Sequence, residues 1–181
     1  MVLYYNKYWI RNKIGGDIKV KLSIIYFSKT GKTHTMAQEI ANGMETVENI
    51  ESRIFDIEDV DYEYIKESKA VVFGTPTYYA NTCWQIKKWF DESWSCNLAG
   101  KIGGVFATAD FQQGGADTAI STIINHLIVK GMLVYSGGSA LGNPYIHLGP
   151  VALKDTFEES KQLFNVFGKR IAEKCVELFR E

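Results

Sequence analysis

Three hydroxyls and a glycine fall within six residues, Ser28-Lys29-Thr30-Gly31-Lys32-Thr33, directly after the apolar run Leu22 to Phe27 and directly before a helical pattern. At a strand-to-helix turn, free backbone N–H groups and the positive end of the helix dipole favour a phosphate. A nucleoside-triphosphate loop would need a glycine five residues before Gly31, where Tyr26 stands. The dinucleotide pattern G-x-G-x-x-G is absent as well. What remains suits a terminal phosphomonoester, whose three oxygens can be met by Ser28, Thr30 and Thr33 and by backbone N–H groups without a buried cation.

Flavin mononucleotide, FMN, ends in such a phosphate. A capped helix start that binds nothing uses the same residue types, so this segment alone leaves both readings open. Cys83 lies close behind the loop Thr75 to Asn81, but its spacing with Ile86, Phe90 and Trp94 predicts a core thiol on a helix.

These residues need elements to hold them. Ile18 to Phe27 reads as a strand, followed by a helix with Met36, Ile40 and Met44 on one face. Ile50 to Ile57 reads as a strand, Tyr62 to Ser68 as a short helix and Ala70 to Thr75 as a buried strand. A helix through Cys83 to Trp94 follows, then a strand over Ile102 to Thr108 and a helix over Asp117 to Val129. Met132 to Tyr135 makes a fifth strand, and Phe157 to Phe179 a closing helix. Near-continuous apolar strands alternating with helices predict an α/β fold, a doubly wound five-stranded parallel sheet of order 2-1-3-4-5 with helices on both faces. Ligands then bind at the carboxyl ends of strands one, three and four, where the winding reverses. The loops there are Ser28 to Thr33, Thr75 to Asn81 and Thr108 to Gly115.

The run Ile24-Ile25-Tyr26-Phe27-Ser28-Lys29-Thr30-Gly31-Lys32-Thr33-His34-Thr35-Met36-Ala37 resembles the signature of the flavodoxin-like family. Gly74 to Asn81, Gly114 to Thr122 and Lys130-Gly131-Met132 are most similar to the WrbA-like NAD(P)H:quinone oxidoreductases and related FMN reductases. The resemblance implies that Ser28, Thr30, Gly31, Lys32 and Thr33 hold the FMN phosphate. It implies that Pro76, Thr77, Tyr78, Tyr79, Ala80 and Asn81 border the flavin ring, and that Thr108, Ala109, Asp110, Gly114 and Gly115 cover its polar edge. Tyr78 and His147 are the side chains it offers near the reacting face, with no metal. Where those oxidoreductases commonly carry Arg-Phe-Gly, this chain has Tyr78-Tyr79-Ala80. Ala80 is expected to resist a positive φ beside the ring, so that electrons pass in pairs.

The implied function is an FMN-dependent oxidoreductase taking electrons from NAD(P)H to a quinone or similar small acceptor. The alternative is a flavodoxin-type carrier docking redox proteins. A net charge of −1 and a pI of about 6.3 argue against long-range steering, while the group Asp56, Glu58, Asp59, Asp61 and Glu63 argues for it. The same balance removes the electrostatic case for nucleic acid, and a receiver domain would need an acidic pair where Phe27-Ser28-Lys29 stands. Three scattered cysteines suggest a reducing cytoplasm. Residues 1–16 read as a tail ahead of one domain over 17–181; their apolar residues are too interrupted for a membrane span. That aromatic tail, with Trp84, Trp89 and Trp94, gives more large apolar surface than a lone small domain needs, and the resemblance to oxidoreductases that complete their sites across subunits implies a homodimer or homotetramer with part of the flavin pocket at an interface.

Overall fold

The computed structural model describes residues 19–179, so the tail expected over 1–16 lies outside the described residues. Seven strands follow in chain order: β1 (Val20–Tyr26), β2 (Ile50–Asp56), β3 (Ala70–Tyr78), β4 (Asn81–Thr82), β5 (Ile102–Ala109), β6 (Leu133–Val134) and β7 (Val151–Leu153). Five helices join them: α1 (Lys32–Met44), α2 (Tyr62–Glu67), α3 (Trp84–Glu92), α4 (Ala116–Val129) and α5 (Phe157–Phe179). The parallel core has the order β2-β1-β3-β5-β6, which is the doubly wound 2-1-3-4-5 arrangement.

Period-two alternation divides the core between the two faces of the sheet. Leu22, Ile24, Val72 and Phe106 point to one face and pack under α1 and α5. Ile25, Val71, Phe73 and Val105 point to the other, under α3 and α4. Helices α1 and α5 approach closely because each offers a glycine at the crossing. A Cβ on Gly43 would lie 1.9 Å from the Asn165 carbonyl oxygen, and one on Gly168 would lie 2.0 Å from that of Ile40. Backbone atoms cannot swing aside. Gly168→Ala is therefore expected to lower stability by a net ~1–2 kcal/mol, an overpacking cost of up to about 3 less the ~1 that alanine gains as a helix former. Urea unfolding of the variant checks this; an unchanged midpoint would refute the close approach.

Two expected elements come out differently. Trp94 lies beyond α3 and is 84 % exposed, and the indole of Trp89 takes the inner position, 5.3 Å from the Phe73 ring. The helix stops at Ser93, whose carbonyl accepts a hydrogen bond from the Lys130 ammonium. The fifth strand is also divided. β6 pairs with Ile102 and Gly103 at the start of β5, the chain leaves after Tyr135, and it returns as β7 beside Ala107 to Ala109.

Between the two half-strands runs an excursion, residues 136–150, without a strand of its own. Its organiser is Arg170 on α5, buried to 8 % exposure. The guanidinium donates to the carbonyls of Gly137 at 3.2 Å, Gly138 at 3.3 Å, Pro144 at 3.0 Å and Gly142 at 3.3 Å. A planar fork with several fixed donors suits such divergent acceptors better than a point charge would.

Candidate functional site

The site forms where the loops after β1, β3 and β5 converge at the carboxyl ends of the strands. After β1 the chain turns through Ser28 to Gly31 and enters α1. Gly31 is the N-cap, at φ 86, and no side chain caps the helix. The first N–H groups of α1 are thus left to whatever sits in the turn. Thr33 faces inward and its hydroxyl lies 2.9 Å from that of Thr108 at the end of β5, both residues being buried. The Lys32 ammonium donates to Asp110 at 2.9 Å and holds that carboxyl below the usual carboxylate range. Those two contacts tie the first loop to the third. At the base of the turn, the Tyr26 hydroxyl is 2.6 Å from His34 Nδ1 and fixes the start of α1 against β1.

The second loop is a tight hairpin. β3 continues to Tyr78, three residues past the expected end, and pairs antiparallel with β4 through Thr77 with Thr82 and Tyr78 with Asn81. Tyr79 and Ala80 form its two-residue tip, at φ 48 and φ 58. Both are left-handed, as a type I′ hairpin turn demands. The expectation that Ala80 would resist a positive φ is therefore wrong: cross-strand pairing of so short a loop outweighs a left-handed cost of about 1–2 kcal/mol per residue. The tip also meets the third loop. A Cβ on Gly115 would stand 2.5 Å from Ala80 Cα, so glycine at 115 lets the loops touch.

Below the hairpin, Thr75 is a hub that the sequence reading missed as a site residue. Its hydroxyl donates to the Pro76 carbonyl at 2.8 Å, lies 3.0 Å from Thr82 Oγ1 and accepts from the Cys83 N–H at 3.2 Å. Cys83 is buried at the N-cap of α3, and burial pushes its thiol up, away from reactivity. The core reading of that cysteine agrees with its position.

Two hydroxyls bear on what the loops could hold. Among the described residues, Ser28 Oγ and Thr77 Oγ1 are buried with no hydrogen-bond partner. Buried hydroxyls are rarely left so, because each unmade bond costs about 1–3 kcal/mol. One lies in the phosphate turn and the other on the hairpin, and a ligand bridging both loops with acceptor atoms would satisfy them. An FMN phosphate and ring fit that demand. Thr30 is exposed at the mouth of the turn, while Pro76 and Thr77 are half-buried and Tyr78, Tyr79, Ala80 and Asn81 exposed around the hairpin. Ala109 is buried, Gly114 closes a turn onto the Phe111 carbonyl at 2.9 Å, and Asp110 lies at the rim. Phe111 itself is a large exposed aromatic beside Asp110; its type at a strand end was the available signal. His147 lies exposed in the excursion without a hydrogen bond to the described residues, so nothing ties it to these loops.

The model of the flavodoxin family matches residues 24–119, which include the first two loops and the third through Gly115. A flavodoxin of Clostridium saccharobutylicum is 49% identical over 160 residues, covering 88% of this chain and 100% of that protein. The chain belongs to the flavodoxin family. More distant is an NAD(P)H dehydrogenase (quinone) of Trichlorobacter lovleyi, 28% identical over 153 residues, with 69% of this chain and 72% of that protein covered. The solved structure of a WrbA-like flavodoxin from Agrobacterium tumefaciens superposes with a TM-score of 0.74 over 88% of this chain and 99% of its own, at 22% identity, and shows the shared fold. Membership agrees with the order of the sheet and with the ligand end of the strands. No described helix is long and apolar enough to cross a membrane, and no group of three His, Cys, Asp or Glu among the described residues is placed to hold a metal.

Proposed function

We propose that this protein is an FMN-carrying electron carrier of the flavodoxin type, passing electrons between redox proteins through a domain spanning residues 17–181. The observation that carries the proposal is identity at nearly half of all positions along the entire Clostridium flavodoxin. FMN supplies the redox chemistry; the protein binds it, orients it and shields one side of it. Ser28, Thr30, Lys32 and Thr33 would hold the phosphate with the N–H groups that Gly31 leaves open. Tyr78 and the Tyr79-Ala80 tip would flank the ring, and the Asp110 to Gly115 loop would cover its polar edge. The acidic group Asp56 to Glu63 follows β2 at the same end of the sheet, where it can meet a basic partner. The three free thiols, Cys83, Cys96 and Cys175, suit the cytoplasm.

The oxidoreductase reading, NAD(P)H to a small-molecule acceptor, has the support of the more distant Trichlorobacter relative. Against it, Tyr78 stands where an arginine is expected, and the argument for paired electrons fell with the left-handed Ala80. A homodimer or homotetramer stays part of the proposal, though with Trp89 buried the tryptophan argument for a shared pocket rests on Trp84 and Trp94. Anaerobic mixing of the flavin-loaded protein with NADH or NADPH separates the readings. The expected result is an unbleached flavin until a reductase is added, and two separated one-electron waves in a potentiometric titration. Direct bleaching by NAD(P)H with turnover of a quinone would establish the enzyme instead.

A further inference from the structure

The turn from Ser28 to Thr33 holds two full charges, Lys29 and Lys32. The fold treats them differently. Lys29 is exposed. Lys32 is the first residue of α1, so its stem starts at the open N–H groups over which a phosphate would sit. Its ammonium is nevertheless carried across the mouth of the site to Asp110 in the third loop, at 2.9 Å. Asp110 is ionised to match: its carboxyl is drawn down by the hydrogen bond and charge of Lys32, and further by the charge of Lys154 just after β7. Tyr78 at the end of β3 feels the same carboxylate, its hydroxyl being pushed up by burial first, then by Cys83 and Asp110.

The ion pair is a weak tie between the two loops. Thr33 and Thr108, both buried, already join them through hydroxyls 2.9 Å apart. The Lys32 and Asp110 side chains are 36 % and 58 % exposed, and ion pairs in such positions add little to the stability of a fold. What the pair does is decide where a charge stands. A phosphomonoester carries about −1.5 to −2 at neutral pH. A lysine is a compact charge on a flexible four-carbon stem, so the ammonium can turn from a carboxylate to a phosphate without moving the backbone. It cannot serve both in full.

On the reading above that FMN is the cofactor, we propose that Asp110 is a specificity-determining residue that competes with the FMN phosphate for Lys32. With the turn empty, the carboxylate neutralises the ammonium. When FMN enters, its phosphate takes over Lys32 through charge-assisted hydrogen bonds, and Asp110 is left to solvent and to Lys154. Part of the attraction between Lys32 and the phosphate is therefore used to separate Lys32 from Asp110. Riboflavin has the same ring and ribityl chain without the phosphate, so it makes no call on Lys32 and is indifferent to the ion pair. Asp110 thus sets how strongly the site prefers the phosphorylated flavin.

Fluorescence titration of the flavin-free full chain with FMN and with riboflavin, at one ionic strength, tests this. D110N, or D110S should the amide disturb the loop, removes the competing charge and leaves the Thr33–Thr108 pair in place. The variant should bind FMN about 3- to 5-fold more tightly, the worth of an exposed ion pair, and riboflavin within about 1.5-fold of the parent. In a K32M background the gain for FMN should fall below about 1.5-fold, because the contested ammonium is gone. FMN binding weakened or unchanged by D110N would make the ion pair a simple positioning tie and overturn the inference. An equal gain for riboflavin would place the effect at the ring beside Tyr78, and a gain kept in K32M would assign it to Lys154 or to direct repulsion; either overturns it too. A parent protein that binds neither flavin would refute the FMN reading itself and this inference with it, whereas the other outcomes leave FMN binding standing.

Discussion

Replacing Ser28 with alanine should raise the FMN dissociation constant about 10- to 100-fold, roughly 1.4–2.8 kcal/mol, while leaving the flavin-free protein as stable as before or more so. The two halves of that expectation come from one atom. Ser28 Oγ is buried with no partner among the described residues, so without a ligand it is a desolvated hydroxyl that contributes nothing. Removing it relieves that cost in the empty fold. In the loaded protein the same hydroxyl would donate to a phosphate oxygen, a bond to a charged acceptor and among the stronger ones. Flavin titration and thermal unfolding of the apoprotein read the two effects separately. Unchanged FMN affinity would remove Ser28 from the phosphate site. Thr33→Ala is a poorer probe, because it would also orphan Thr108.

Arg170→Met is expected to cost more, about 2–4 kcal/mol. Hydrogen bonds from a charged donor are worth about 1.5–3 kcal/mol each, and four carbonyls lose theirs, though relief of the buried charge returns part of the loss. Arg170→Lys should not restore stability, since one ammonium cannot reach acceptors spread from Gly137 to Pro144. The loss should be local. Hydrogen exchange should accelerate across residues 137–146 and far less in β1 or β3. Uniform acceleration across the sheet would show that Arg170 supports the whole fold rather than the excursion.

Much of this architecture was legible in the chain. The parallel order followed from buried strands such as Leu22 to Tyr26, where a run broken only by Ser23 leaves no solvent face. The phosphate turn was legible because its chemistry is local, carried by neighbouring hydroxyls and Gly31. What escaped was decided across distance. The hairpin hid because Tyr79-Ala80 lacks the glycine or asparagine that advertises a left-handed turn. The divided fifth strand hid because its two pieces, two and three residues long, are too short for any periodicity. Arg170 reads as one more surface cation in a helix until the carbonyls of another segment surround it.

The divided strand makes residues 136–150 a module. Its ends are anchored independently to the frame, the Tyr135 N–H to the Gly103 carbonyl at 2.8 Å and the Pro150 carbonyl to the Ala107 N–H at 3.1 Å. Between fixed ends, lengthening a loop costs only slowly more entropy, about 0.6 kcal/mol for each doubling. A grafted peptide, a reporter or a recognition sequence could therefore be inserted at the exposed tip of the excursion, while the Arg170 clasp, the buried Ile146 and both half-strands keep their places. Evolution has the same freedom, and proteins built on this frame can diverge at that position without disturbing the end of the sheet where electrons are handled.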